Sequence, residues 1–236
     1  MADYCTLERQ FVEAFALDRR PVAVTFVRSA PVGVRKFCGT EPAGCSFWRL
    51  AERGAVFYTE PGDHYNCAIG CYTHRIALPA ERAPELDQTL AFMMQLGYIK
   101  PEDLGQIAQL RETPSFVVYA PLGEAPVEPA VVLFAGKPSS IMVLNEAALR
   151  AGVGTQSVNL GRPTCMALPA ALERGAVLSN GCVGNRIYTG IGDDELYAAV
   201  RGADLERVAA QAQTIANANA RLAEYHRARR QQLSGG

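Results

Sequence analysis

One five-residue string, Glu-Arg-Gly-Ala-Val, occurs twice in this 236-residue chain, at Glu52–Val56 and at Glu173–Val177. Each copy sits in the same local order. Pro21-Val22-Ala23-Val24-Thr25-Phe26 matches Pro129-Ala130-Val131-Val132-Leu133-Phe134 upstream. Cys45 precedes the first string and Cys165 the second. Cys67 with Gly70 follows the first, and Cys182 with Gly184 the second. Order shared over so many features points to two diverged copies of one strand–helix–strand unit, over approximately 21–75 and 129–190. Two copies of one unit pack as identical subunits do in an isologous dimer, about a pseudo-two-fold axis. The expectation is that Phe26 superposes on Phe134, Gly54 on Gly175 and Cys45 on Cys165.

Local patterns place elements around this framework. Residues 6–16 carry Leu7, Phe11, Ala14 and Phe15 at helical spacing. Residues 22–27, 55–58, 116–119, 131–134, 176–178 and 196–200 read as strands, rich in Val, Phe and Tyr. Short helices are expected at 46–53 and 169–174. Longer ones are expected at 83–96 with a Gly97 cap, from Ser139 or Ser140 to Arg150, and at 203–232. Alternating helices and strands give the fold class α/β. No low-complexity linker interrupts the chain, so 1–236 is expected to be a single compact domain.

Composition narrows the function. Hydrophobic residues make up 49% and charged residues 20%, with a formal net charge of −1. That charge supplies no field for nucleic acid or an anionic membrane, so neither partner is expected. No apolar run approaches the ~20 residues of a membrane span, and the N-terminus lacks a signal-peptide core. The expected location is cytoplasmic. There the seven cysteines are kept reduced, which argues against a disulfide framework.

Convergence of Cys45, Cys67, Cys165 and Cys182 across the axis would give four thiolates, a donor set for a soft metal. A [4Fe–4S] cluster is preferred and zinc is the alternative. Donors dispersed over separate loops suit a cluster better than a compact zinc knuckle, and glycines beside the cysteines would let backbone N–H groups approach cluster sulfurs. A local Cys-x-x-Cys, the signature of zinc and ferredoxin sites alike, is absent. Cys38 or Cys71 could replace one of the four. His74 and Arg186, each within seven residues of a proposed ligand, are candidate catalytic residues expected to line the same cavity. His74 would serve as an acid–base or hydrogen-bonding group, and Arg186 as an anchor for an anionic substrate.

The segments His64-Tyr65-Asn66-Cys67, Thr73-His74, Arg162-Pro163-Thr164-Cys165 and Gly181-Cys182-Val183-Gly184-Asn185-Arg186 resemble an uncharacterised prokaryotic family, domain of unknown function 169. Cys45-Ser46-Phe47-Trp48 and Tyr119-Ala120-Pro121-Leu122 fit it as well. The resemblance places the four cysteines inside the family's motifs and implies no settled activity. The expected function is a cysteine-ligated metalloprotein, iron–sulfur by preference. It would act on or sense a small molecule at the interface of its two halves, and a homo-oligomer is possible. Two alternatives stand beside it: a metal-free thiol enzyme using Cys67 or Cys182 with His74, and a non-enzymatic ligand-binding protein with structural cysteines.

Overall fold

A computed structural model describes residues 3–154 and 163–234. Arg162 and the Gly235-Gly236 end lie outside the described residues. Seven strands form one sheet: β1 (Val22–Val27), β2 (Arg35–Lys36), β3 (Phe57–Thr59), β4 (Phe116–Pro121), β5 (Val131–Gly136), β6 (Ala176–Ser179) and β7 (Leu196–Arg201). Their spatial order is β2-β3-β4-β1-β5-β7-β6. Every pairing is antiparallel except β2 with β3. The fold is thus mixed α/β, with hairpin-like neighbours in place of the parallel crossovers that alternating elements usually imply.

The described residues form eight α-helices: α1 (Tyr4–Phe15), α2 (Ser46–Glu52), α3 (Ala68–His74), α4 (Pro84–Gln95), α5 (Pro138–Arg150), α6 (Ala167–Arg174), α7 (Val183–Thr189) and α8 (Leu205–Ser234). The strands alternate in what they face, as the two-residue period of a strand requires. Val22, Val24, Val131, Leu133, Tyr197 and Ala199 pack with Phe47, Trp48 and Ala51 of α2 and with Leu168 and Ala171 of α6. Ala23, Val132, Phe134, Ala198 and Val200 pack on the other side with Phe11 of α1, Ile141 of α5 and Val208 of α8. The result is three layers. The short helices that follow the cysteines occupy one face, and the three longest buried helices occupy the other.

Helix ends follow local chemistry. Asp3 caps α1 by accepting from the Thr6 N–H at 3.1 Å, so the helix starts two residues earlier than periodicity indicates. Gly175 ends α6 at φ +87°, where an added Cβ would sit 2.9 Å from a Val153 methyl carbon. Gly54, also at positive φ (+105°), follows α2 in the same way. Both glycines therefore turn a short helix into a strand through backbone that L side chains rarely adopt.

The match of the two Pro-to-Phe strands does not hold residue for residue. Phe26 packs toward the α2/α6 face, whereas Phe134 belongs to the opposite core and meets Phe11 edge-on at 5.3 Å. A one-residue slip flips every side chain to the other face of a sheet. The facing equivalents of Val22, Val24 and Phe26 are therefore Val131, Leu133 and Ala135, not the even-numbered residues that sequence identity selects.

Phe47 anchors the cysteine-bearing face. It is fully buried, with Phe37, His64, Tyr119 and Phe57 around it at ring separations of 5.0, 5.1, 5.5 and 6.0 Å. Truncation to alanine is expected to cost about 3–5 kcal/mol, measured by urea unfolding. A loss below ~1 kcal/mol would mean that this cluster does not hold α2 on the sheet.

Candidate functional site

The four motif cysteines all stand at the start of short helices. Cys45, Cys67 and Cys182 are the residues immediately before α2, α3 and α7. Cys165 lies in the 3₁₀ turn that leads into α6. The Cys67 sulfur accepts from the Gly70 N–H at 3.3 Å. The Cys182 N–H donates to Thr164 Oγ1 at 2.5 Å, tying Cys182 to the residue beside Cys165. Across the molecule, α2 touches α7 and α3 touches the turn that holds Cys165. Cys165 Sγ lies 4.0 Å from the Ile69 carbonyl oxygen.

These contacts bring all four thiols to one cavity of about 350 Å³. Burial pushes the Cys45 thiol up to about 12, and the nearby Cys67 and Cys182 sulfurs add to the rise. The same two causes, burial first and neighbouring sulfurs after it, raise Cys67 and carry Cys165 well above the ordinary thiol range. Cys165 senses each of the other three. Buried and close to one another's charge, Cys45, Cys67 and Cys165 stay protonated unless a cation compensates them.

The remaining cysteines lie elsewhere. Cys5 and Cys38 are exposed, and Cys71 is buried with its thiol donating to the His64 carbonyl at 3.2 Å. None of these three lines the cavity. Among the described residues, no three or more His, Cys, Asp or Glu side chains are grouped so as to hold a metal ion. The donor chemistry suits a soft metal, and the thiols stand around the cavity wall instead of clasping one point.

His74 and Arg186 do not line the cavity. His74 sits in the core at 3% exposure, because α3 turns it inward beneath Cys67. Its Nδ1–H donates to the Gly70 carbonyl at 2.9 Å, and Nε2 has no partner. Burial lowers its pKa. Arg186 spends its guanidinium on the carbonyls of Gly192 (2.7 Å), Asn180 (2.5 Å) and Glu195 (3.1 Å). A guanidinium satisfied by three carbonyls clamps the loops on either side of α7 and leaves little for an anionic substrate. His64 is also buried, paired with Thr59 Oγ1 at 2.8 Å. It packs against His74 at a ring separation of 6.0 Å.

The sequence patterns missed Asn185. It lines the cavity at 2% exposure, near enough to Cys45 and Tyr197 to draw both pKa values down against the larger rise from burial. Neither amide atom closes a hydrogen bond. The signal was present, since Asn185 belongs to the Gly-Cys-Val-Gly-Asn-Arg string, but spacing alone does not say which member of a string points inward. Also unforeseen was the opposite wall, where Leu90 and Met93 of α4 join Tyr98, Leu104 and Ile107.

The architecture and site define a three-layer α/β protein with four thiols from distant parts of the chain around one cavity. No helix among the described residues is long and apolar enough to cross a membrane. The chain belongs to the family described as uncharacterised ArCR, domain of unknown function 169, whose family model matches residues 10–211. No curated protein and no solved structure matches it.

Proposed function

We propose that this protein is a cysteine-ligated metalloprotein that holds an iron–sulfur cluster on Cys45, Cys67, Cys165 and Cys182, and acts on or senses a small molecule between its two halves. The observation that carries it is the convergence of these four thiols, and no other cysteine, on one cavity. A soft cation would offset the burial, and after it the mutual repulsion, that hold Cys45, Cys67 and Cys165 protonated. Zinc is the weaker alternative, because its ~2.3 Å bonds to sulfur draw four sulfurs toward a single point, and no such group stands preformed among the described residues. When bound, a cluster would supply one-electron transfer or, at an iron with an open position, Lewis acidity.

Duplication with a pseudo-two-fold axis is part of the same proposal. Reading outward from the central β1–β5 pair, β1, β4 and β3 mirror β5, β7 and β6, and β1 and β5 are antiparallel. The α2–α7 contact has its counterpart between α3 and the turn leading into α6. Such an axis would pass beside the cavity and give each half two ligands. His74 and Arg186 then act as positioning residues: His74 braces the turn that holds Cys67, and Arg186 fixes the loop that holds Cys182.

Anaerobic purification tests the metal. The expected result is a brown protein that absorbs broadly near ~400 nm and contains iron and acid-labile sulfide in equal amounts. Colourless protein with one zinc per chain would replace the cluster with a structural site. Colourless, metal-free protein would end the proposal and leave the thiol-enzyme and structural-cysteine alternatives.

A further inference from the structure

The cavity continues past the thiols, and its far wall has a different character. Between α3 and β4 the chain inserts α4 and a 3₁₀ turn, Pro101–Gln106, whereas α7 leads to β7 with no helix between. The inserted segment is amphipathic, yet α4 contributes no buried residue to either core. Leu90, Met93, Tyr98, Leu104 and Ile107 are half-buried and face the cavity. An apolar helix face normally packs on other side chains; this one meets α3 and otherwise faces the cavity. Asn185 lines the same cavity, buried to 2% exposure beside Cys45 and Tyr197. Neither of its amide atoms closes a hydrogen bond of good geometry, a costly state for a polar group unless something meets it. No described Lys, Arg or His lines the cavity, and its charged side chain is the carboxylate of Asp103.

We infer that this chamber binds a neutral, largely apolar small molecule carrying one polar group that pairs with the Asn185 amide. A volume of about 350 Å³ falls within the range of small-molecule pockets. The apolar wall supplies burial, the Asn185 amide sets orientation, and a lining with an acidic group and no cation among the described residues disfavours anions. The inference deepens the proposed function by naming its ligand class. It rests on the cavity being the small-molecule site and not on the identity of the metal.

The test uses the full chain and three neutral probes, indole, p-cresol and cyclohexanol, followed by saturation-transfer NMR and calorimetry. At least one is expected to bind saturably. Met93→Glu, inside the chamber, should weaken it ten-fold or more. Phe92→Glu, on the outer side of α4 at 60% exposure, should leave affinity within two-fold. Indole-3-carboxylate should bind at least ten-fold more weakly than indole. Absence of saturable binding for all three probes, equal loss in both variants, or carboxylate binding that matches indole would overturn the inference. Iron and sulfide measured on the same samples separate the two proposals. Met93→Glu should retain wild-type iron, and its loss would mean that this wall encloses only the metal site. Metal-free wild-type protein that still follows the probe pattern would end the cluster and keep the chamber.

Discussion

Serine at any one of Cys45, Cys67, Cys165 or Cys182 is expected to remove most of the bound iron and sulfide from anaerobically purified protein. Serine at Cys5 or Cys38, exposed and away from the cavity, should leave both unchanged. The alkoxide of serine is a poor partner for iron at neutral pH, and a site that must gather four donors from separate loops loses affinity steeply when one is withdrawn. A ligand held at 100 to 1,000 times its dissociation constant stabilises the fold by about 3–4 kcal/mol. The four variants should therefore also melt well below wild type when each is loaded, and close to it when both are stripped by a chelator. Iron content that is equal across all six variants would remove the four-cysteine site altogether.

A steep loss of stability in mild acid is the second large effect expected. Burial holds His64 at about 3, and His74 is lowered as well. In the unfolded chain both return to about 6.5. Below that value the unfolded state takes up protons that the folded state refuses, so stability is complete above about pH 6.5. It then falls toward pH 3 as each histidine's share is lost. One such group contributes a slope of about 1.4 kcal/mol per pH unit. Moving to pH 5 should thus cost about 2 kcal/mol through His64 alone, with His74 adding to it. His64→Gln can keep a hydrogen bond to Thr59 and cannot titrate. Its urea-derived stability should be nearly one proton less steep between pH 6.5 and 5. Parallel wild-type and variant slopes would show that His64 does not titrate across this range.

Much of the framework was legible because it rests on local rules. Strand β1 spans the residues that its Val-rich run marks, and α1, α5 and α8 fall where apolar spacing places them. Strands β4 and β5 run two residues beyond the predicted 116–119 and 131–134, because β1 continues the ladder to Ala120 and Pro121 and β7 continues it to Ala135 and Gly136. Helices α3 and α7 escaped notice. Each is seven residues long, too short for periodicity to register, and each follows a cysteine instead of a typical capping residue. The convergence of Cys45, Cys67, Cys165 and Cys182 was legible through the repeated order of motifs. The fates of His74 and Arg186 were not, because nearness in sequence to a ligand says nothing about which way a helix turns a side chain. Phe26 and Phe134 misled for a related reason: identical residues align readily across a one-residue slip that places them on opposite faces.

The two halves of the sheet meet through β1 and β5, paired over three residues, Val22 to Val24 against Val131 to Leu133. Cys45 and Cys67 lie between these two strands in the chain, and Cys165 and Cys182 follow the second. During synthesis the first pair leaves the ribosome with no partners, and the pocket closes only once β5, β6 and β7 have been added and laid against β1. The four donors proposed for a cluster can therefore meet only after Cys182 has been made and β5 has been laid against β1, so such a cluster would have to arrive late in synthesis.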